Sequence, residues 1–322
     1  MSQIRVAVLR GGPSSEYEVS LKSGQTVLKN LPEKYHAKDI LISRDGLWHM
    51  DGIVKSPDKI LKSMDVVFNA LHGEYGEDGQ VQKILESHNV PYTGSDSVAS
   101  AVAMNKHLTK QLAIQNGIRT PDYLLVREGD DLTETPKKVF AKFAPPYIVK
   151  PTSLGSSVGV TIVKTANDLL DVIRSTIFYS RALLIEEYIF GKEATCGVID
   201  SMRGHDVYSL LPVEIIPKKG EFYDYNAKYL SDSTGYRIPG HFNSLDKKEI
   251  EQIAKKIHSL LGLRHYSRSD FIVSPLRGIF FLEVNTLPGM TDHSLIPKSL
   301  DALGISLPDF LDHMLTLATA RH

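Results

Sequence analysis

Two short apolar runs near the start of the chain are each followed by a glycine-rich stretch and then by apolar positions at helical spacing. The runs are residues 4–10 (IRVAVLR) and 65–71 (DVVFNAL), and the stretches are residues 11–16 (GGPSSE) and 72–79 (HGEYGEDG). Strands that alternate with helices predict a parallel sheet, whose ligands bind at the carboxyl ends of the strands. We therefore predict an α/β unit with both glycine-rich loops at a binding edge.

A second unit is predicted to begin near residues 91–100 (PYTGSDSVAS), where turn-forming residues mark a boundary. Apolar residues Met104, Leu108 and Leu112 then predict one continuous helix. The next segments alternate between strand and helix patterns in the manner of a compact α+β unit. They are residues 146–151 (PYIVKP), 160–164 (VTIVK), 167–173 (NDLLDVI) and 182–189 (ALLIEEYI).

The last third of the chain predicts more strands, a helix with an apolar stripe, a hairpin and a final helix that ends near Ala320. A polar stretch at residues 218–241 interrupts this pattern and is long for a connection inside a compact domain. Its tyrosines and Lys228 favour a lid over a disordered linker.

The hairpin is predicted at residues 267–289 (SRSDFIVSPLRGIFFLEVNTLPG), because Pro275 and Gly278 separate two strand-like runs. A turn centred between Leu276 and Arg277 fixes which residues face each other. On the polar face this register sets Asp270 opposite Glu283 and Arg268 opposite Asn285. On the apolar face it sets Phe271 opposite Leu282 and Val273 opposite Phe280, which would pack as core.

Two carboxylates that face each other across a hairpin repel unless another group neutralises them. A hard divalent cation is the simplest such group, since it prefers carboxylate and amide oxygens. The pattern therefore predicts a metal site at Asp270 and Glu283. A solvated polar face with an arginine network is the alternative, because charged residues are usually exposed.

Composition limits the remaining choices. A chain of 322 residues predicts two or three domains, and its net charge of −1 gives no general attraction to nucleic acid or to a membrane surface. The single cysteine, Cys196, excludes an intramolecular disulfide and reads as a small core residue. No run of about 18 apolar residues and no signal-type N-terminal segment is found. We therefore expect a cytoplasmic protein.

A phosphate site is predicted at residues 150–159 (KPTSLGSSVG), which combine Lys150 with a turn of small residues whose N–H groups can face oxygen atoms. No Gly-Lys-Ser/Thr follows, so this is not a Walker loop. A simple glycine hairpin is the alternative. Residues 9–15 (LRGGPSS) lack the G-x-G-x-x-G spacing, which argues against a nicotinamide enzyme.

Six stretches, taken in order, resemble the D-alanine–D-alanine ligases of the ATP-grasp superfamily. They are GGPSSEYEVSLKSG, LHGEYGEDG, MNKHLTK, IVKPTSLGSSVGV, FYDYNAKYLSD and LEVNTLPGMTDHSLIP. The resemblance covers essentially the whole chain. It implies a doubly wound N-terminal α/β domain at 1–95, a small central ATP-grasp domain at 96–189 and a C-terminal ATP-grasp domain at 190–322, with residues 218–241 as the lid.

The same resemblance implies a set of residues for ATP and its metal ions. The implied ATP contacts are Lys106, Lys150, Ser156, Ser157, Glu186, Glu187, Ile189, Glu193 and Lys228. The implied ligands of two Mg²⁺ or Mn²⁺ ions are Asp270, Glu283 and Asn285, with Glu283 bridging the ions. A requirement for a monovalent cation stays open.

The implied reaction first transfers the γ-phosphoryl group of ATP to one D-alanine, and the amine of a second D-alanine then attacks the acyl phosphate. Glu16 would hold the first ammonium group within a Glu16–Ser156–Tyr229 network, with His72 nearby. Arg268 and the Gly289 N–H group would stabilise the oxyanion, and Ser294 and Leu295 would bind the second carboxylate. Glu16 and Ser294 each have a purely structural alternative, as a helix-terminal acid and an N-cap.

Three functions stay open. The first is D-alanyl-D-alanine synthesis for peptidoglycan precursors, by a homodimer joined through the N-terminal domain. The second is a related ligase that accepts D-lactate or D-serine, or another ATP-grasp carboxylate–amine ligase; Tyr229 favours the dipeptide-forming type. The third is a silent ATP-binding regulatory protein, which the retained lysines and hairpin carboxylates argue against. Arg10 and Asn105 depart from the family's usual residues, as does the lead-in LRHYSRSD.

Overall fold

The structure is a computed structural model, and it describes residues 3–155, 159–216, 235–291 and 293–320. Four predicted site residues, Ser156, Ser157, Lys228 and Tyr229, lie outside these ranges, as does most of the predicted lid. Within the described ranges no helix is long and apolar enough to cross a membrane.

The N-terminal sheet has five strands in the order β4-β3-β2-β1-β5. They are β1 (Ile4–Gly11), β2 (Tyr35–Ile42), β3 (Trp48–Met50), β4 (Ile53–Val54) and β5 (Val66–Asn69), with helices α1 (Tyr17–Asn30), α2 (Pro57–Leu61) and α3 (Gln80–Ser87). β1 runs parallel to β2 and β5, as predicted, but β2–β3 and β3–β4 pair antiparallel. These antiparallel pairs add an edge that the prediction of a parallel sheet did not include, because the links between these strands are too short for a crossover.

Both faces of the N-terminal sheet are covered. Ala7 and Leu9 belong to a core with α2 and α3, whereas Val6 and Val8 pack with residues of the C-terminal helix such as Phe310 and Met314. Alternate residues of one strand therefore enter two cores, as the period of two requires. The end of the chain thus packs against its beginning.

The central unit is a four-stranded sheet in the order β6-β9-β7-β8. Its strands are β6 (Tyr123–Arg127), β7 (Tyr147–Pro151), β8 (Thr161–Val163) and β9 (Ala182–Glu187), and helices α6 (Thr135–Lys142) and α7 (Leu169–Ile177) share its core. Helices α4 (Ser97–Met104) and α5 (Lys106–Gln115) precede these strands and share a core with the C-terminal sheet. The single helix predicted through Met104 and Leu108 is wrong. Asn105 interrupts it with an extended backbone (ψ 98°), and its side chain caps α5 by accepting a hydrogen bond from the Leu108 N–H group.

The C-terminal sheet is ordered β13-β12-β10-β14-β15, with β11 also paired to β10. The strands are β10 (Lys192–Met202), β11 (His205–Ser209), β12 (Val213–Ile216), β13 (Gly235–Arg237), β14 (Tyr266–Ser274) and β15 (Gly278–Asn285). The helices are α8 (Ser244–Leu260), α9 (Leu295–Asp301) and α10 (Leu307–Ala320). Cys196 is fully buried on β10, as predicted for a core residue.

The β14–β15 hairpin confirms the predicted polar pairs, Asp270 with Glu283 and Arg268 with Asn285. The predicted apolar pairs are wrong, because Phe271 faces Phe281 and Val273 faces Ile279. The turn is centred on Leu276, one residue shorter than predicted, and a β-bulge between Asp270 and Phe271 restores the register.

Candidate active site

Two buried lysines flank one buried carboxylate beside the central sheet. Lys150 on β7 and Glu186 on the neighbouring β9 bring Nζ and Oε2 to 2.9 Å, and Lys110 on α5 places its Nζ 3.0 Å from Oε1 of Glu186. Lys110 is fully buried and Glu186 is 2 % exposed. Two cations around one anion leave net positive charge, which suits a site for an anionic ligand.

Burial lowers the pKa of Lys110 to about 8, against the opposing pull of the Glu186 carboxylate. Burial alone would raise the pKa of Glu186, but the two ammonium groups outweigh it and hold that pKa below its usual value. The resemblance had pointed to Lys150 and Glu186 but not to Lys110. The sequence feature that could have indicated Lys110 is its spacing from Lys106, because residues four apart lie on the same face of a helix.

Lys106, the first residue of α5, connects the predicted phosphate loop to the hairpin. Its Nζ donates to the Leu154 carbonyl at 2.6 Å and lies 3.3 Å from Oε2 of Glu283. Its backbone N–H group donates to the Thr152 carbonyl at 2.8 Å. The predicted phosphate loop, helix α5 and the hairpin therefore meet at Lys106, where the resemblance implies a contact with ATP.

The polar face of the hairpin is held by charge-assisted hydrogen bonds. Arg268 donates through Nε and Nη2 to the two oxygens of Asp270, both at 3.0 Å, and Thr195 Oγ1 donates to Oδ1 at 2.6 Å. Asn285 Nδ2 lies 3.4 Å from Oδ2 of Asp270. The arginine network considered as an alternative is therefore present, and it neutralises one carboxylate of the predicted repelling pair.

The same face offers the donor set of a magnesium site. Glu283 and Asn285 line a cavity of about 20 Å³ that Lys106 and Glu77 also border. Carboxylate and amide oxygens are the ligands that Mg²⁺ prefers, so Asp270, Glu283 and Asn285 fit such an ion. Among the described residues, no three His, Cys, Asp or Glu side chains cluster closely enough to hold a metal. A metal ion at this face would therefore also need the Asn285 amide oxygen and oxygen atoms of a bound phosphate compound as ligands.

Glu16 is buried at the end of the first glycine-rich loop and approaches two other loops closely. A methyl group at Gly73 would lie 2.7 Å from its Oε2, and one at Gly155 would lie 2.8 Å from the same atom. Only glycine fits at either place without moving Glu16. The N-terminal domain thereby presents Glu16 to the start of the phosphate loop, beside a cavity of about 540 Å³ that Glu16, Gly73 and Gly155 line. Its predicted partners Ser156 and Tyr229 lie outside the described residues.

Gly289 and Ser294 form one compact turn before α9. A methyl group at Gly289 would lie 2.7 Å from Ser294 Oγ, and this oxygen accepts a hydrogen bond from the Thr291 N–H group at 3.0 Å. Ser294 occupies the N-cap position of α9, but its side chain makes no capping hydrogen bond. Ser294 therefore stands at the N-cap position that its structural alternative predicts, but its side chain bonds within the turn instead of capping the helix. Leu295 is buried against Val213 and Ile215.

The residues implied for the adenosine part lie along β9 and β10. Glu187 ends β9, and its side chain accepts from both Nη atoms of Arg277 at 2.6 and 2.9 Å. Ile189 is buried, and Glu193 pairs with Ile272 on the neighbouring β14. Since the Glu187 side chain is already engaged, its predicted contribution to a nucleotide is limited to the backbone. Arg10, a departure from the family pattern, donates through Nε to Asp39 Oδ1 on the adjacent strand at 2.7 Å. Its side chain is therefore engaged within the N-terminal sheet.

Two residues that the sequence reasoning missed lie next to these sites. Burial and the neighbouring Glu16 carboxylate raise the pKa of Glu77 to about 8, and Ser23 is fully buried against His72. Glu77 belongs to the motif LHGEYGEDG, but none of the three acids in that motif had a distinguishing feature in the sequence. Both residues contact the segment that carries Gly289.

Buried lysines beside a glycine-rich loop, with a carboxylate hairpin next to them, are the arrangement expected of an ATP-grasp ligase. Two family models match the chain: "D-ala D-ala ligase N-terminus" at residues 5–60 and 52–95, and "D-ala D-ala ligase C-terminus" at residues 112–316. The chain belongs to the D-alanine–D-alanine ligase family. The family resemblance of the motifs and the fold class predicted from it are thereby confirmed.

Individual relatives agree. The chain is 40% identical to a D-alanine–D-alanine ligase of Aquifex aeolicus, over 97% of this chain and 100% of the relative, and 39% identical to one of Burkholderia cenocepacia, over 97% and 96%. Among solved structures, the VanG D-Ala:D-Ser ligase of Enterococcus faecalis has a TM-score of 0.87 at 30% identity, covering 98% of this chain and 100% of that one. The ATP complex of the Bacillus anthracis D-alanine–D-alanine ligase has a TM-score of 0.82 at 30% identity, covering 99% and 98%.

Proposed function

We propose that this protein joins two D-alanine molecules into D-alanyl-D-alanine, converting ATP to ADP and phosphate, as a step in the synthesis of peptidoglycan precursors. The observation that carries the proposal is the arrangement of Lys106 and Lys150 near the hairpin that pairs Asp270 with Glu283. It occurs in a chain that is 40% identical to a D-alanine–D-alanine ligase. This arrangement supports ATP as the co-substrate.

In the first step, a carboxylate oxygen of one D-alanine attacks the γ-phosphorus of ATP, and ADP leaves. Lys106 and Lys150 hold the phosphates by charge-assisted hydrogen bonds, which are roughly twice as strong as neutral ones. The net positive charge of the Lys110–Glu186–Lys150 cluster draws the nucleotide to this edge. Glu16 accepts hydrogen bonds from the ammonium group of the first D-alanine and thereby fixes its carboxylate in line for attack.

In the second step, the amine of another D-alanine attacks the acyl carbon, loses a proton, and phosphate leaves. As the amine adds, the carbonyl oxygen of the acyl group becomes an oxyanion, which Arg268 and the N–H group of Gly289 stabilise. Ser294 and the Leu295 backbone bind the carboxylate of the second molecule. Water must be excluded throughout, because it would hydrolyse the acyl phosphate.

The hairpin is proposed to bind Mg²⁺ or Mn²⁺ through Asp270, Glu283 and Asn285. When bound, such ions supply positive charge that neutralises the transferring phosphoryl group. The donor set supports this assignment, because the two carboxylates and the amide lie on one face of β14 and β15. A homodimer and a cytoplasmic location stay predictions; light scattering of the purified protein tests the first.

The second candidate is a ligase that takes D-serine at the second position, because VanG, a D-Ala:D-Ser ligase, has a TM-score of 0.87 with this chain. The higher identity of the D-alanine–D-alanine relatives favours D-alanine.

Phosphate release from ATP with a panel of D-amino and D-hydroxy acids tests the proposal. We expect D-alanine alone to support turnover and mass spectrometry to identify the dipeptide. Turnover that requires D-serine or D-lactate together with D-alanine would favour the second candidate. No release with any pair would refute ligase activity.

A further inference from the structure

Three side chains of the N-terminal domain form hydrogen bonds with the backbone of the segment that carries Gly289. The Leu287 N–H group donates to Oε1 of Glu77 at 2.9 Å, and the Leu287 carbonyl lies 2.9 Å from Nδ1 of His72. Three residues further on, the Met290 N–H group donates to Ser23 Oγ at 3.2 Å. Both backbone groups of Leu287 and one of Met290 are thus satisfied by residues more than 200 positions away in the chain.

The hydrogen bonds fix the proton on His72. A carbonyl oxygen can only accept, so Nδ1 of His72 carries the hydrogen that points at Leu287. Nε2 must then accept, and Ser23 Oγ, at 2.7 Å, donates to it. The Ser23 oxygen keeps a lone pair for the Met290 N–H group. The three groups form a directional chain that leaves neither ring nitrogen of His72 available to a substrate.

Glu77 is also fully engaged. One oxygen accepts from Leu287 and the other accepts from the Gly73 N–H group at 3.0 Å, and the side chain is 8 % exposed. Gly73 adopts a positive φ of 69° and follows His72 directly, so Glu77 also fixes the loop that aims the imidazole. A carboxyl group with both oxygens on backbone donors is suited to hold two loops together rather than to bind a substrate group.

We propose that Ser23, His72 and Glu77 form a clasp that positions residues 285–290, and with them the oxyanion donors of the ligation step. The proposal rests on the function proposed above, because the Gly289 N–H group matters only if an oxyanion forms there. Asn285, which starts the clasped segment, pairs with Arg268 across the hairpin, so the same clasp steadies both donors. A displacement of about 1 Å at such a site can cost roughly a hundredfold in rate. The three residues act through the backbone they hold, and we assign them as positioning residues.

Ser23→Ala and Ser20→Ala form a matched pair of variants. Both serines are fully buried in α1, and each Oγ donates one hydrogen bond and accepts another. Ser20 accepts from Gly11 and donates to Ala70, both at 2.8 Å and both within the N-terminal domain, whereas Ser23 reaches Met290. Equal losses of folding stability are expected, so any difference between the two variants reports the clasp. Glu77→Gln is the stronger perturbation, since its amide nitrogen cannot accept from an N–H group.

Two measurements test whether the clasp positions this segment. Hydrogen exchange of peptides within residues 284–291 should be faster in Ser23→Ala and Glu77→Gln than in the wild type or Ser20→Ala, and this readout needs no substrate. In steady-state kinetics we expect kcat to fall on the order of tenfold in Ser23→Ala and a hundredfold in Glu77→Gln. The KM for ATP should stay within about twofold in both variants.

Unchanged exchange in Ser23→Ala would overturn the clasp whether or not the protein is a ligase. Faster exchange with an unchanged kcat would overturn its positioning role, as would equal rate losses in Ser23→Ala and Ser20→Ala. Should Glu77→Gln fail to fold, the serine pair alone decides. A wild-type protein that releases no phosphate with D-alanine refutes the proposed function instead, and the exchange comparison still tests the clasp.

Discussion

Replacing Lys110 with methionine should weaken ATP binding while leaving the fold as stable as before. A fall in the Lys110 pKa from 10.5 to about 8 means that the protein disfavours its charged form by about 3 kcal/mol relative to water, even with Glu186 beside it. Methionine fills similar space without that cost, and Glu186 keeps its ion pair with Lys150 at 2.9 Å. We expect the melting temperature to stay the same or to rise by a few degrees.

The loss should fall on the nucleotide. Without Lys110, the Glu186 carboxylate neutralises Lys150 alone, and the cluster loses one unit of positive charge. At about 8 Å from a phosphate group and an effective dielectric constant of about 20, one unit of charge contributes about 2 kcal/mol, a factor of about thirty in affinity. The KM for ATP should therefore rise on the order of thirtyfold, and the KM for D-alanine should change little.

Lys142→Met is the control for this substitution. Lys142 and Lys110 both place Nζ 5.9 Å from the centre of the Tyr123 ring, but Lys142 donates to the Tyr123 carbonyl at the surface and does not touch Glu186. Thermal melts and ADP formation with each substrate varied in turn complete the assay. An ATP KM within twofold of the wild type, or a melting temperature many degrees lower, would refute the reasoning, because Lys110 would then serve the fold and not the nucleotide.

Three more predictions follow from the same geometry. Glu283→Gln should abolish magnesium-dependent ADP formation while the thermal melt stays near that of the wild type; retained activity would remove Glu283 from the metal site. Glu16→Gln should raise the KM of the first D-alanine on the order of a hundredfold and leave ATP nearly unaffected, because a buried ammonium group without its partner costs a few kcal/mol; equal effects on both substrates would return Glu16 to a helix-terminal role. Burial lowers the pKa of His72 to about 4. Between pH 6.5 and about 4, His72 is therefore protonated in the unfolded chain but not in the folded chain. The free energy of unfolding falls by up to about 3 kcal/mol as pH drops through this range. In His72→Asn, which can still donate to Leu287, chemical denaturation should show a shallower pH dependence, and an unchanged slope would contradict the shift.

The apolar patterns predicted the interior of the fold well, because burial on one face imposes a period on the sequence. The strands at residues 4–10 and 65–71 and the core position of Cys196 follow from that rule. The break between α4 and α5 does not, since Asn105 interrupts an apolar stripe that continues on both sides. Its capping hydrogen bond decides the backbone there, and a polar residue inside a helical pattern leaves this outcome open.

The site residues were predicted from motifs, and the residues that the motifs did not indicate are those whose role depends on burial. Lys106 and Lys110 look alike in the sequence, yet Lys106 reaches Glu283 whereas Lys110 is sealed against Glu186. Glu77 is equally inconspicuous, because only the folded chain brings the Leu287 backbone to it from another domain. The spacing of the two lysines indicates a shared helix face, but which of them becomes buried, and which distant segment reaches Glu77, depends on packing.

The hairpin shows how a correct pairing can rest on an incorrect turn. The turn centres on Leu276, and without a bulge this register would set Glu283 opposite Ser269, on the apolar face. Leu282 is the extra residue that moves Glu283 and Asn285 back to the face of Asp270. The carboxylate pair therefore depends on the bulge as much as on the residues themselves. Since a one-residue slip exchanges the two faces of a strand, the alternation of polar and apolar residues on β15 constrains the turn and the bulge only together.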